Sequence, residues 1–401
     1  MLILFSLLWT LSSTVNAVTM ENFRWVVPSD KLPDGLTVMH SNNNVDIKKF
    51  NGTLFMAFRT APTHFASKKT LLSVISNNEN EGNKWNFETT FSVGSDLREP
   101  RFVATKDHLY LYAVKLGANG TSFTPKLVYR WVYQGPKQWK EIDHDKFSGE
   151  VIWDIKEHND QYYMTSYKGG HYTFKPKPVE VNFRVSRDGL NWSPLPGHST
   201  PVVYTGGVSE VSIEWDDQGT MWGETRLEDG DSTGWGSQVI TASANDYGTW
   251  NTPKESDPNR YDSSKIIKYK NEFYVVARRS LGGQYDRHMR GLPFNSQRWF
   301  QLIRYSLTKM RTAVYHLNKQ THELEWMMDF PSAGDTAYMS VVPLSESRFL
   351  IANYTSQLSK NWWTWFRGQT AIKGTSIYLA ELNFDSPTPQ QSDPEMDSDD
   401  P

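Results

Sequence analysis

Carboxylates and cations recur along this sequence at matched intervals, a pattern that proton-transfer chemistry would need. Glu99, Glu150, Glu210 and Asp262 each stand about ten residues ahead of an aromatic-rich run, and Asp46 and Asp335 hold similar places ahead of two more. Seven residues into the six runs lie Arg59, Lys115, Lys168, Arg226, Arg279 and Thr355. Five of these six are basic, although Lys and Arg together make up only 42 of 401 residues. If both sets meet in one concave pocket, the cations would hold an anionic or polyhydroxylated ligand while the carboxylates move protons. The alternative for any single member is a solvated strand end, or an ion pair between neighbours. Solvation alone, however, does not select one sign at one position.

Other chemistries drop out. There is no cysteine, which removes disulfides, thiolate metal sites, iron–sulfur clusters and a cysteine nucleophile. The chain contains no HExxH, no Walker A loop, no GxSxG elbow and no GxGxxG fingerprint. Its ten histidines lack ligand spacing, so neither a metal nor a cofactor is expected.

The elements that must position these charges form a repeat. GTLFMAF from Gly52, HLYLYAV from His108, QYYMTSY from Gln161, GTMWGET from Gly219, EFYVVAR from Glu272 and RFLIANY from Arg348 start 56, 53, 58, 53 and 76 residues apart. A shorter strand-like run precedes each, and Trp85, Trp139, Trp192, Trp250 and Trp326 close the run that follows each of the first five. The long last interval holds a polar, Gly-containing insertion around 282–298. A unit of this length with four short strands matches one propeller blade. The reading is an all-β, six-bladed β-propeller of four-stranded antiparallel blades, with repeats clearest over roughly 35–384. In such a ring the start of each inner strand and the end of the next strand open on the same face.

Composition agrees with a large folded body: 38% hydrophobic, 14% aromatic, with 26 Gly and 20 Pro punctuating the chain. Residues 1–17 are uncharged and apolar and end in Val15-Asn16-Ala17, which reads as a secretory signal peptide. Sequons at Asn51, Asn119, Asn191 and Asn353 suit a secreted, glycosylated, extracellular protein. Residues 385–401 carry six acids and no base and read as a disordered tail, leaving 18–384 for the propeller. Without that tail the formal charge moves from −3 to about +3, too little to argue for nucleic acid as a partner. No later segment is long enough to span a membrane.

With the repeats in place, the sequence resembles the sialidase superfamily, divergently. Ser186-Arg187-Asp188-Gly189-Leu190-Asn191-Trp192 is similar to that family's Asp box, as are Ser243 to Trp250 and, in degenerate form, Ser76 to Trp85. The resemblance implies that Glu210 draws the proton from Tyr338 as the phenol attacks an anomeric carbon. It also implies that Arg226 and Arg311 grip a substrate carboxylate. The family's first-blade Arg has no match near 44–47, where Arg101 or Arg98 would substitute. Its acid/base Asp is replaced by a segment ending in His64, which would serve as the acid. The expected activity is exo-cleavage of a terminal, acidic sugar from a glycan or glycoconjugate.

Two other readings stay open. A likeness to propeller furanosidases and xylosidases implies three carboxylates, with Asp46 as base, Asp154 as tuner and Glu210 as acid, inverting at a neutral sugar. A catalytically silent propeller that binds glycan or extracellular matrix is the third. Trp362, Trp363 and Trp365 would either stack on sugar rings or pack between blades.

Overall fold

The computed structural model describes residues 18–78, 84–120, 124–143, 147–169 and 177–385. Six antiparallel sheets stand around one axis. The first blade contains β2 (Ser41–Phe50), β3 (Thr53–Ala61), β4 (Leu71–Asn78) and β5 (Asn86–Phe91). The second contains β6 (Leu97–Ala104), β7 (Leu109–Lys115), β8 (Leu127–Gly135) and β9 (Gln138–Glu141). The third contains β10 (Val151–His158), β11 (Gln161–Lys168), β12 (Val179–Ser186) and β13 (Ser193–Pro194), and β14 (Val202–Gly206) also pairs with β12. The fourth contains β15 (Val208–Trp215), β16 (Met221–Leu227), β17 (Gln238–Ser243) and β18 (Asp246–Asn251). The fifth contains β19 (Tyr261–Tyr269), β20 (Glu272–Ser280), β21 (Met310–Asn318) and β22 (Glu323–Asp329). The sixth contains β23 (Thr336–Pro343), β24 (Arg348–Thr355) and β25 (Ser376–Asn383), and takes its outer strand from β1 (Thr19–Val27).

All six aromatic runs are the second strands of blades, as their period predicts. Ahead of residue 35, where the repeat is not clear, β1 pairs antiparallel with β25 and locks the last blade to the N-terminal segment. Among the described residues the apolar core is divided into six wedges, one between each pair of neighbouring blades, and a seventh cluster of Trp235, Tyr285, Tyr305 and Met310 at the insertions. Phe55, Val74 and Leu72 meet Phe102 and Leu111 between the first and second, and Tyr163 and Phe183 meet Ile213 and Trp215 between the third and fourth. Each fully buried large side chain contributes ~1.5–3 kcal/mol, so the ring has no single point of failure.

Turn chemistry follows the sequence in part. Between β12 and β13, Asp188 Oδ1 accepts from the backbone N–H of Leu190 (2.9 Å) and Asn191 (2.7 Å), while Trp192 Nε1 donates to Tyr112 Oη (3.1 Å). Gly189 sits there at φ +67°, and a Cβ would come within 2.7 Å of Val103, so this turn requires glycine. In the 243–250 segment Asp246 lies within β18, and its Oδ1 accepts from the Gly248 N–H (3.0 Å) and meets His198 Nε2 (2.7 Å). Residues 79–83 of the third segment, the leader at 1–17 and the tail at 386–401 lie outside the described residues.

Two insertions cap one end of the ring. The 282–298 insertion leads into α1 (Phe294–Ser306), a helix the sequence reading did not foresee, and α2 (Trp365–Thr370) follows β24. Tyr305 of α1 packs edge-on to Trp365 of α2 at 5.2 Å. Among the described residues no helix is long and apolar enough to cross a membrane.

Candidate active site

The innermost strand of every blade carries a register shift near its start: at 43/45, 98/101, 152/154, 209/212, 262/265 and 337/340. A β-bulge re-aims one side chain out of the alternation. In five blades the re-aimed residue has left-handed backbone: Asn44 (φ +46°), Glu99 (+54°), Ser263 (+57°), Glu210 (+48°) and Tyr338 (+59°). Left-handed backbone is uncommon for such side chains and clusters at functional sites. All five line one axial cavity of about 410 Å³, under the insertion side chains Trp365, Gln369 and Ser306.

Alternate blades thus deliver the three reactive groups: Glu99 from the second, Glu210 from the fourth and Tyr338 from the sixth. Glu99 is half-buried; its Oε1 accepts from Asn44 Nδ2 at 3.3 Å and its buried Oε2 has no donor of good geometry. Burial raises its pKa to about 7, against Arg98 and Arg101, and the charge of Glu210 adds to the rise. The Tyr338 hydroxyl beside it donates to the Pro100 carbonyl at 3.3 Å, and burial holds the phenol's proton well above its ordinary range. Glu99 and Tyr338 perturb each other's titration, whereas no hydrogen bond joins Glu210 to Tyr338 among the described residues. The expected Glu210–Tyr338 proton relay is therefore corrected: the carboxyl next to the phenol is Glu99.

Glu210 is fixed by other partners. Its Oε1 accepts from Arg226 Nη1 (2.7 Å), and its Oε2 from the backbone N–H (3.0 Å) and hydroxyl (3.3 Å) of Ser263. Arg226 also binds Glu228 (2.8 Å) and Asp262 (3.0 Å). Two further arginines line the cavity. Arg98 is ion-paired with buried Asp96 and donates to the His64 carbonyl (3.0 Å). Arg278 donates to Tyr305 Oη (2.5 Å) and the Thr336 carbonyl (3.3 Å). His64 Nδ1 stands 2.6 Å from Asp335 Oδ2; burial lowers the His64 pKa, and Asp335 opposes that.

Several expected residues lie elsewhere. Arg59 is fully buried, with Nε 2.8 Å from Asp96 and its other nitrogens on the carbonyls of Thr63 and Phe65, so it braces a loop. Arg279 pairs with Asp329 (2.7 Å) outside the cavity, and its strand neighbour Arg311 donates to the Met310 carbonyl (3.0 Å). The inward cation of that strand is Arg278, one residue earlier. The register shows why: Asp262 opposes Arg278 where Ser209 opposes Arg226, so counting from the strand start slipped by one. Lys168 pairs with Glu180 at 3.5 Å.

Asp46 and Asp154 do not share a cavity with Glu210, which overturns the three-carboxylate arrangement. They lie beyond the bulges, further along the inner strands, and line a second cavity. Between the cavities the Arg101 guanidinium covers the Tyr338 ring (4.0 Å) and the Trp153 ring (5.0 Å), forming a plug on the axis. Among the described residues no group of three or more His, Asp or Glu side chains is arranged to hold a metal ion. Of the sequons, Asn51, Asn119 and Asn191 are exposed. Asn353 is corrected: it is fully buried in β24, with Nδ2 on Tyr378 Oη (3.0 Å) and Thr312 Oγ1 (3.1 Å), beyond reach of a glycan. Trp363 is buried, Trp362 exposed, and Trp365 lines the cavity.

Beside the site, Glu224 on β16 is buried without a hydrogen bond of good geometry. Burial raises its pKa well above the carboxylate range; Asp262 and Glu210 add to this, against the Ser264 and Ser237 hydroxyls. The folded state thus keeps a proton that the unfolded chain releases above about pH 4.3, and stability falls as pH rises from there. Glu224→Gln removes that titration. Relative to wild type it should gain stability between about pH 5 and pH 8, at up to about 1.4 kcal/mol per pH unit, as measured by urea denaturation.

No family model and no curated protein matches the sequence. Solved structures do. A protein of unknown function from Dyadobacter fermentans aligns over 92% of this chain and 99% of its own, at 13% identity and a TM-score of 0.57. The endosialidase of phage phi92 aligns over 94% and 70%, at 9% identity and 0.55. An alpha-L-arabinanase from Penicillium chrysogenum, complexed with arabinobiose, aligns over 92% and 98%, at 10% identity and 0.50. In architecture, then, this chain is a six-bladed β-propeller similar to those of a sialidase and an arabinanase, at identities that establish the fold alone.

Proposed function

We propose that the chain is a glycoside hydrolase whose upper axial cavity cleaves a neutral sugar, with Glu99 as proton donor and Glu210 as the opposing carboxylate. The observation that carries this is the carboxyl of half-buried Glu99, at a strained bulge, with its pKa raised to about 7 and one buried oxygen unengaged. A carboxyl poised near neutrality is suited to protonate a leaving oxygen. The carbohydrate class is supported by the sugar hydrolases that share the fold.

The chemistry uses each group once. Glu99 gives its proton to the glycosidic oxygen as the bond to the anomeric carbon breaks. Glu210 supplies the negative charge facing the developing positive centre and takes the proton of the attacking water. Charge favours a neutral substrate over the acidic one the family resemblance implies. Arg98, Arg226 and Arg278 are already engaged by Asp96, by Glu210, Glu228 and Asp262, and by Tyr305 and Thr336. With Glu210 and Glu228 on the wall and each arginine held by protein partners, a substrate carboxylate would meet no open fork.

A second route is favoured by the contact between Tyr338 and Glu99: the phenol attacks the anomeric carbon as the glycosidic bond breaks, its proton passes by way of Glu99 to the departing oxygen, and water then hydrolyses the sugar from Tyr338. Tyr338→Phe separates the two on a panel of aryl glycosides of neutral and acidic sugars. The carboxylate route predicts turnover of a neutral glycoside within about tenfold of wild type in that variant. Loss beyond about a thousandfold assigns the phenol as nucleophile. Absence of turnover with every glycoside overturns the hydrolase reading. The same reading takes residues 1–17 as a secretory leader, supported by their uncharged apolar character and by the exposed sequons.

A further inference from the structure

We propose that the second axial cavity, at the far end of the channel, binds a small oxyanion of the phosphate or sulfate type. The cavity encloses about 270 Å³ and is lined by the later residues of the inner strands. Lys48 from β2, Arg101 from β6, Lys156 from β10 and Lys265 and Lys268 from β19 bring five cations to it from four blades, of which Lys268 is held by Asp217 (2.7 Å). Three carboxylates, Asp46, Asp154 and Glu214, face them.

Pairing inside the cavity is incomplete, and the remainder is positive. Lys156 pairs with Glu214 (2.7 Å) and Lys265 with Asp154 (2.5 Å). Asp46 is turned to the Phe102 N–H (2.6 Å) and the Ser340 hydroxyl (2.6 Å), and comes no closer than 3.9 Å to Arg101. Lys48 makes no hydrogen bond or ion pair among the described residues. Arg101 is 2% exposed, and its Nη2 has no partner. An unmatched guanidinium nitrogen that deep is unfavourable unless an acceptor fills the space before it.

The amines of the cavity do not shift alike. Burial lowers the Lys48 pKa, with Asp46 opposing and Lys156 adding to it, whereas burial at Lys156 is outweighed by Glu214 and Asp154, which raise its pKa. Burial, reinforced by Arg101, lowers that of Lys265 to about 8. A water molecule satisfies one N–H and leaves that repulsion standing. An anion satisfies the N–H and cancels the repulsion. Donors arriving from several blades suit an ion with oxygens on more than one side, and Arg101 offers it the N–H groups of Nη2, its Nε and Nη1 being held by the Trp153 and Pro100 carbonyls. The site uses no group assigned to sugar hydrolysis, so it stands or falls independently of that function.

Calorimetric titration of the full chain at low ionic strength tests it, with sodium phosphate and glycerol 3-phosphate as probes and sodium chloride as the ionic-strength control. The expected result is one saturable site for a phosphate group. Preference between the probes tells whether the free ion or the ester fits. Lys48→Met should weaken binding at least tenfold, while Lys115→Met, at the end of β7 and lining neither cavity, should bind as wild type does. Should Lys48→Met fail to fold, wild type alone decides. Binding near pH 8 should take up protons as Lys265 is driven to its charged form, read from the dependence of the heat on buffer ionisation enthalpy. No saturable binding, equal binding by both variants, or binding without proton uptake would each overturn the proposal.

Discussion

Glu99→Gln is expected to cut turnover of an alkyl glycoside by about 10²–10⁴-fold while leaving the protein folded. The amide keeps the shape and the Asn44 contact, but it cannot release a proton. An aryl glycoside with a very acidic leaving group needs little protonation, so its loss should be much smaller. The pH profile carries the sign. An acid catalyst works while protonated, and burial puts the Glu99 pKa at about 7, so wild-type activity should fall as pH rises through that value. The variant should lose that limb. Equal losses with both leaving groups would remove Glu99 from the role of acid.

Asp262→Asn should have the largest effect on stability. Its carboxylate is fully buried and meets Arg226 (3.0 Å), Arg260 (3.1 Å) and Arg278 (3.9 Å). These guanidinium groups, with burial opposing them, hold its pKa at about 2. Removing the anion leaves clustered cations in a water-poor region, at a cost of about 3–5 kcal/mol. The pH dependence follows the usual carboxylate direction: the contribution is complete above the unfolded pKa of about 3.9 and fades as pH falls toward 2. Asp262→Asn should therefore lie far below wild type in urea denaturation at neutral pH and approach it in acid. A neutral-pH difference under about 1 kcal/mol would show that the surrounding arginines are satisfied without it.

Much of this architecture was legible in the residues. The second strands announced themselves through aromatic runs bounded by turn residues, because a strand buried on both faces must be continuously apolar. The closure by Thr19–Val27 was not legible, since that strand lacks the repeat and is placed only by its pairing with β25. The site was legible in outline. The ring of acids did include Glu99 and Glu210, and the ring of bases did include Arg226. Individual roles were lost to the bulges, because one extra residue swings a side chain through the pleat and no periodicity in the sequence marks it. That shift moved the inward cation from Arg279 to Arg278, sent Asp46 and Asp154 to the far end of the channel, and set Glu99 beside Tyr338. The missed signal was local: LREPR places an acid between two arginines at the start of an inner strand, and the sequence reading set Glu99 in the ring of acids without pairing it with Tyr338.

The proposed chemistry rests on one carboxyl, Glu99, whose proton is held near neutrality. Carbon-13 labelling of glutamate side chains, followed by NMR titration of wild type and Glu99→Gln, observes it without any substrate. The difference between the two should be a single carboxyl resonance with a midpoint near 7. If the resonance that disappears instead titrates at about 4.3, the ordinary glutamate value, Glu99 is no acid catalyst and the site must work another way.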